Sequence, residues 1–173
     1  MNRTASTSAL ILAAVVALHG QERAIPMHVP PDIGPATITV SGIGGKTAEI
    51  TATDLYKLPQ QTVKAMDHGT PAAFEGVLLA DVLAKVDRPL GEKFHSTAAS
   101  YYLVVQARDG YRAVFAWAEL DPAFMDKAIY LVTKRDGKPL SEKDGPFQVV
   151  IPGEKRPSRW VRQVTGLQIR QAN

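Results

Sequence analysis

From Thr37 onward, apolar and polar residues alternate with a period of two through most of the chain, and that period belongs to strands that bury one face. Ile38 to Gly42 and Thr47 to Thr51 alternate on either side of a glycine-rich turn and predict a hairpin. Thr53 or Asp54 is placed to cap a one-turn helix, DLYKL, that Pro59 ends. Gln60 to Met66 reads as a strand, Ala65 to Pro71 as a loop, and Ala73 to Val77 as another strand. Leu78, Leu79, Val82, Leu83 and Val86 then recur at helical spacing and predict an amphipathic helix over that span.

The second half continues in the same vein. Tyr101 to Trp117 reads as a hairpin closed by a two-residue Asp109-Gly110 turn. Glu119 to Asp126 predicts a short helix or turn, and Ala128 to Lys134 a strand leading to an Asp136-Gly137 turn. Phe147 to Ile151 carries the continuous apolar run of a buried strand, Arg159 to Val164 predicts a helical turn, and Gly166 to Arg170 a closing strand. Many short strands with few, short helices make the fold class α+β, in a single domain over 37–170.

The N-terminal part departs from this pattern. Arg3 followed by the apolar run Ala9 to Leu18 and small residues near Gly20 predicts a secretory signal over 1–20, hence a periplasmic or secreted protein. Residues 21–36 hold Pro26, Pro30, Pro31 and Pro35 without periodicity and read as an extended strap. The whole chain of 173 residues is long enough to bury a core unaided. It contains no cysteine, which excludes disulfides, thiolate metal sites and cysteine nucleophiles. The net charge of +3 comes from interleaved acids and bases, with no basic helix or aromatic RNA-binding signature, so nucleic acid is not an expected partner.

Charge is concentrated in one place. Between Pro152 and Gln163 stand Lys155, Arg156, Arg159 and Arg162 around Trp160, with Glu154 as the single acid. Guanidinium forks fit phosphate or carboxylate, and an indole can cover a heteroaromatic ring beside it. Pro152 and Pro157 restrict the loop's backbone, which favours binding by pre-ordering. The competing reading is a solvated basic loop with Trp160 capping the core.

Other candidates are weaker. Gly44-Gly45-Lys46-Thr47 resembles the end of a phosphate-binding loop, but Val40 replaces the first glycine and a strand follows. Asp67 and His68 are the only Asp–His neighbours; adjacent residues of a strand point apart, so they suit cleft-lining better than an acid–base dyad. Glu119 and Asp121 offer carboxylates to the guanidine-like edge of a ring, with helix capping as the alternative for Asp121. Trp117 and Tyr102 read as core, and His95 as a surface histidine.

The order of these motifs resembles the molybdopterin-binding domain of the sulfite oxidase family in a small, exported form. The resemblance runs through the LP-ended helix, FEGVLLADVL (Phe74 to Leu83), the DGY hairpin, ELDP, DGKPL and GPFQVVIPGEKRPSRWVRQVTGLQI. It implies several small mixed sheets and a pterin held in a cleft by loops. It also implies cofactor contacts from Arg156, Ser158, Arg159, Trp160 and Arg162, with Asp67 and His68 at the cleft. Family enzymes ligate molybdenum through a cysteine in the loop after the strand that here is Gln60 to Met66, and this chain has Met66, Asp67 and His68 nearest that place. The resemblance therefore implies a binder of pterin or molybdopterin without molybdenum, serving an exported or membrane protein partner. The alternative is a molybdenum oxidoreductase whose metal sphere Asp67, water or oxo groups complete.

Overall fold

The computed structural model describes residues 36–86, 99–121 and 124–172. The signal over 1–20, residues 21–35 of the strap, His95 and the Pro122-Ala123 centre of the ELDP turn lie outside the described residues.

Among the described residues two five-stranded sheets make up the fold, with two short α-helices beside them, so it is α+β. The first sheet is ordered β2-β1-β10-β5-β6, from β1 (Thr37–Ser41), β2 (Thr47–Thr51), β5 (Tyr101–Ala107), β6 (Arg112–Ala116) and β10 (Val164–Gln171). It is mixed, because β1 and β10 run parallel while the other pairs are antiparallel. The second sheet is ordered β3-β4-β7-β8, from β3 (Gln61–Asp67), β4 (Thr70–Leu78), β7 (Tyr130–Arg135) and β8 (Lys138–Pro139), with β9 (Gln148–Val150) also pairing β7. The helices are α1 (Ala52–Tyr56) and α2 (Leu79–Leu83).

The predicted alternation is what buries Ile38, Val40 and Ile50 on one face of the first hairpin. Together with Leu103, Val105 and Leu167 they join Phe74, Val77, Leu131, Val149 and Val150 of the second sheet in one contiguous core. Leu79, Val82, Leu83 and Val86 present the expected apolar stripe to it, although the helix is α only to Leu83 and tightens into a 3-10 turn over Ala84–Val86. Leu78, assigned to that helix by periodicity, instead ends β4, where its pairing with Tyr130 holds it extended. Trp117 is fully buried as expected, although it lies just past β6, at the start of a 3-10 turn over Trp117–Leu120, rather than in the hairpin strand.

Several expectations need correction, and each has a local cause. The first helix is capped by Thr51, whose Oγ1 accepts from the Asp54 N–H while the Asp54 carboxylate accepts from the Thr51 N–H. That reciprocal pair outcompetes Thr53 and Asp54 as caps. The loop expected over 65–71 shrinks to a two-residue turn. β3 and β4 stay paired to Asp67 and Thr70, and His68 and Gly69 both take positive φ, 48° and 86°, as a primed hairpin turn requires. The β5–β6 turn, expected to hold two residues, holds three outside the Ala107–Tyr111 pairing: Arg108, Asp109 and Gly110, with Gly110 at φ 87°. The helical turn expected over Arg159 to Val164 is a 3-10 turn over Pro157–Arg159, after which the chain extends into β10.

Candidate functional site

Three turns converge at one end of the two sheets: the His68-Gly69 turn between β3 and β4, the Arg108–Gly110 turn between β5 and β6, and the Pro157–Arg159 turn before β10. Backbone hydrogen bonding fixes the last of these. Val149 N–H donates to Val161 O at 2.8 Å and Val164 N–H to Phe147 O at 2.9 Å, so the segment is pinned on both sides to the buried strand region. Tyr111 reaches across from the β5–β6 turn and donates its hydroxyl to Ser158 O at 2.6 Å. Arg108 N–H donates to Gln163 O at 3.0 Å, a second tie between the same two segments.

Between them lies a cleft of about 260 Å³ lined by His68, Ala107, Asp109, Tyr111, Pro157, Ser158, Trp160 and Arg162. Four of the residues singled out in the sequence thus meet here: His68, Ser158, Trp160 and Arg162. His68 and Ser158 are exposed at its lip. Arg162 is partly buried and Nε lies 3.1 Å from Asp144 Oδ1, a pairing that fixes the direction of the guanidinium. Trp160 is a wall of the cleft rather than an open stacking plate. It is only 5% exposed and meets Phe74 edge-on, with ring centroids 5.7 Å apart. Its indole N–H is buried and has no acceptor among the described residues.

The other three sequence candidates do not line this cleft. Arg156 is exposed at the start of the 3-10 turn. Asp67 is nine-tenths buried; its Oδ2 accepts from Arg135 Nη1 at 2.6 Å, and its Oδ1 lies 3.8 Å from His68 Nε2. Arg135 in turn sits over the Phe74 ring at 5.5 Å, so Asp67 serves to anchor a core-edge cation. Arg159 turns to a different cleft, of about 100 Å³, lined by Glu119, Met125, Lys127, Ile129, Ile151 and Glu154.

There Arg159 donates to Glu154 Oε1 at 2.6 Å and to Glu119 Oε2 at 2.7 Å, and covers the Phe115 ring at 4.9 Å. Partial burial works against its charge, but the hydrogen bonds to Glu119 and Glu154 outweigh that and raise its pKa above the ordinary arginine value. The concentration of charge seen in the sequence is correspondingly muted in space. Glu119 and Asp144, distant along the chain, join Glu154 against the four cations.

Sequence reasoning missed Asp109 and Tyr111 as cleft residues. The turn chemistry that marked Asp109 is also the signal that could have found it, since the same turn carries Tyr111 to Ser158. As for a metal, among the described residues no three His, Asp or Glu side chains are grouped to hold one. The donor set does not match thiolate-bound molybdenum: the chain has no cysteine, and Arg135 occupies Oδ2 of Asp67, leaving only the buried Oδ1 without a hydrogen bond.

No protein-family model matches the chain, and no curated protein matches its sequence. Among solved structures it is similar to the sulfane dehydrogenase SoxCD from Paracoccus pantotrophus, with a TM-score of 0.59 at 20% identity. The likeness covers 78% of this chain and 38% of that one, so the chain spans well under half the length of the structure it matches. The two share a sheet-rich α+β fold.

Proposed function

We propose that this is an exported protein that binds a pterin, free or as molybdopterin, between the His68 turn and the Ser158–Arg162 segment, and presents it to an exported or membrane partner. One observation carries the reading: His68 and the Ser158–Trp160–Arg162 group, some ninety residues apart, line one cleft together. The charged, apolar start of the chain supports export.

Within the cleft each side chain has a definite capacity. Arg162, oriented by Asp144, offers its remaining guanidinium N–H groups to a phosphate or carboxylate. Ser158 and His68 at the lip add short-range donors. Trp160 and Pro157 supply apolar walls that exclude water from one face of a ring. The fold shared with part of a sulfane dehydrogenase agrees with the resemblance to the sulfite oxidase family, and a pterin-type cofactor is consistent with both. The chain has no thiolate for a family-type molybdenum centre, so its residues suit holding a pterin rather than oxygen-atom transfer.

The test is the mass spectrum and fluorescence of whatever co-purifies with the protein from its native exported fraction. A pterin in roughly equal amount, lost on Arg162→Ala, is the expected result. Protein free of pterin that also takes none up on incubation would overturn the proposal. Stoichiometric molybdenum by elemental analysis would instead favour the oxidoreductase reading, with a metal sphere completed without sulfur.

A further inference from the structure

We propose that Asp109 selects the ring edge of the ligand, so that the cleft takes 2-amino-4-oxo heterocycles and rejects their 2,4-dioxo counterparts; this rests on the pterin-binding reading above. The carboxylates that the sequence suggested for that edge are placed elsewhere. Glu119 accepts from Arg159 and, at 3.3 Å, from the Ala116 N–H, and Asp121 is 3% exposed; neither lines the cleft.

Asp109 does line it, and is the one acid among the lining residues. Its Oδ1 accepts the Tyr111 N–H at 2.9 Å, which holds the turn, and its Oδ2 has no partner among the described residues. Arg162, the one Arg or Lys among the lining residues, is paired with Asp144.

An ionised carboxylate is acceptor-only. A ligand that lies across the cleft must therefore set its anion toward Arg162 and its N–H donors toward Asp109. The 2-amino group and adjacent ring N–H of a pterin are two neighbouring donors that suit this acceptor. A 2-oxo group in the same place sets a carbonyl against the carboxylate. Because Asp109 is exposed, water competes for its Oδ2, and the expected preference is about tenfold rather than the far larger ratio of a fully buried polar site. The volume agrees: about 260 Å³ lies just under the range for drug-sized ligands, roughly 300–1,000 Å³, and suits a bicyclic ring with one small anion better than a dinucleotide.

The experiment measures binding of pterin-6-carboxylate and lumazine-6-carboxylate, which differ at position 2 of the ring, by fluorescence titration of the full chain and of Asp109→Asn. Asparagine keeps an oxygen for the Tyr111 N–H and puts an amide donor in the place of Oδ2, so the turn is preserved while the polarity of the edge is reversed. Wild type should prefer the pterin by about tenfold or more, and Asp109→Asn should lose that preference or invert it, with an unchanged melting temperature. Equal binding of both compounds by wild type, or an equal loss of both in Asp109→Asn, overturns the assignment of Asp109 and leaves the pterin reading standing. Failure of wild type to bind either compound overturns both.

Discussion

Trp160 stands edge-on to Phe74, with an interplanar angle of 90° and 5.7 Å between ring centroids. Phe74 is fully buried in β4 and carries Arg135 on its ring at 5.5 Å, so this pair joins the loop that bears Arg162 to the strand that follows the His68 turn. This core contact joins the Arg162 segment to the strand after the His68 turn, beside the polar ties that Tyr111 and Arg108 make from the β5–β6 turn. Trp160→Ala should destabilise the fold by about 3–5 kcal/mol, as expected for truncation of a large buried aromatic. A double-mutant cycle with Phe74→Leu should show a coupling of about 0.5–1.5 kcal/mol in denaturant unfolding. Simple additivity would mean that the geometry carries no energy of its own.

Arg162 and Arg159 should separate cleanly in binding. Arg162→Ala removes a charge-assisted contact worth about 1.5–3 kcal/mol, and pterin affinity should fall tenfold or more. Arg159→Ala, which faces the neighbouring cleft, should leave affinity within about twofold, measured by the same titration. Comparable losses from both would place the ligand across the Pro157–Arg159 turn instead.

Arg159 does matter for stability. Its side chain is 35% exposed, so solvent screening reduces what its two carboxylate partners contribute. Arg159→Gln should cost about 1 kcal/mol in urea unfolding. Glu119→Gln should cost less, because Glu154 still accepts from the guanidinium at 2.6 Å. The reverse order would assign the stabilising role to Glu119.

Gly76 sits where β4 passes β7 at an irregularity in register, and an added Cβ would run into the carbonyl of Leu131 and the Cα of Val132. The obstacle is backbone, which cannot swing aside as a side chain can. Gly76→Ala should therefore lower stability by about 1–3 kcal/mol or more, read as a reduced melting temperature or loss of soluble protein.

The Thr51–Asp54 cap gives the fold a pH dependence of known sign. The Thr51 hydroxyl, then Lys57 and the Thr51 N–H, hold the Asp54 carboxyl well below the usual carboxylate range. A folded-state value below the unfolded one means that the unfolded chain binds the proton more readily. The contribution is therefore present above about pH 4, the unfolded aspartate value, and is lost as pH falls toward the folded one. Thr51→Ala should lower the melting temperature at pH 7 and reduce its fall between pH 4 and pH 2. An unchanged acid profile would remove Asp54 from the account.

The alternation of apolar residues was enough to specify most of the strands and the α+β class, because a half-buried strand imposes its period of two locally. The Asp-Gly steps likewise marked turns, since few residue types take positive φ readily, whereas His68-Gly69 was read only as part of a longer loop. The lengths of those turns were not local. The His68-Gly69 turn is two residues long because β3 and β4 stay paired up to it, and Asp109 stands in a three-residue turn because Ala107 bonds to Tyr111.

The sequence by itself determined that this chain has no cysteine thiolate for a metal and that its cations crowd around one tryptophan near the C-terminal end. Only the tertiary structure decided which of those cations face a shared cleft. Arg159 and Arg162 are three residues apart, yet Glu119 and Glu154 draw one into a neighbouring cleft while Asp144 orients the other beside His68. Glu154 is local to the loop, but Glu119 and Asp144 are not, and their Coulomb attraction and hydrogen-bond geometry exist only once the fold has brought them close.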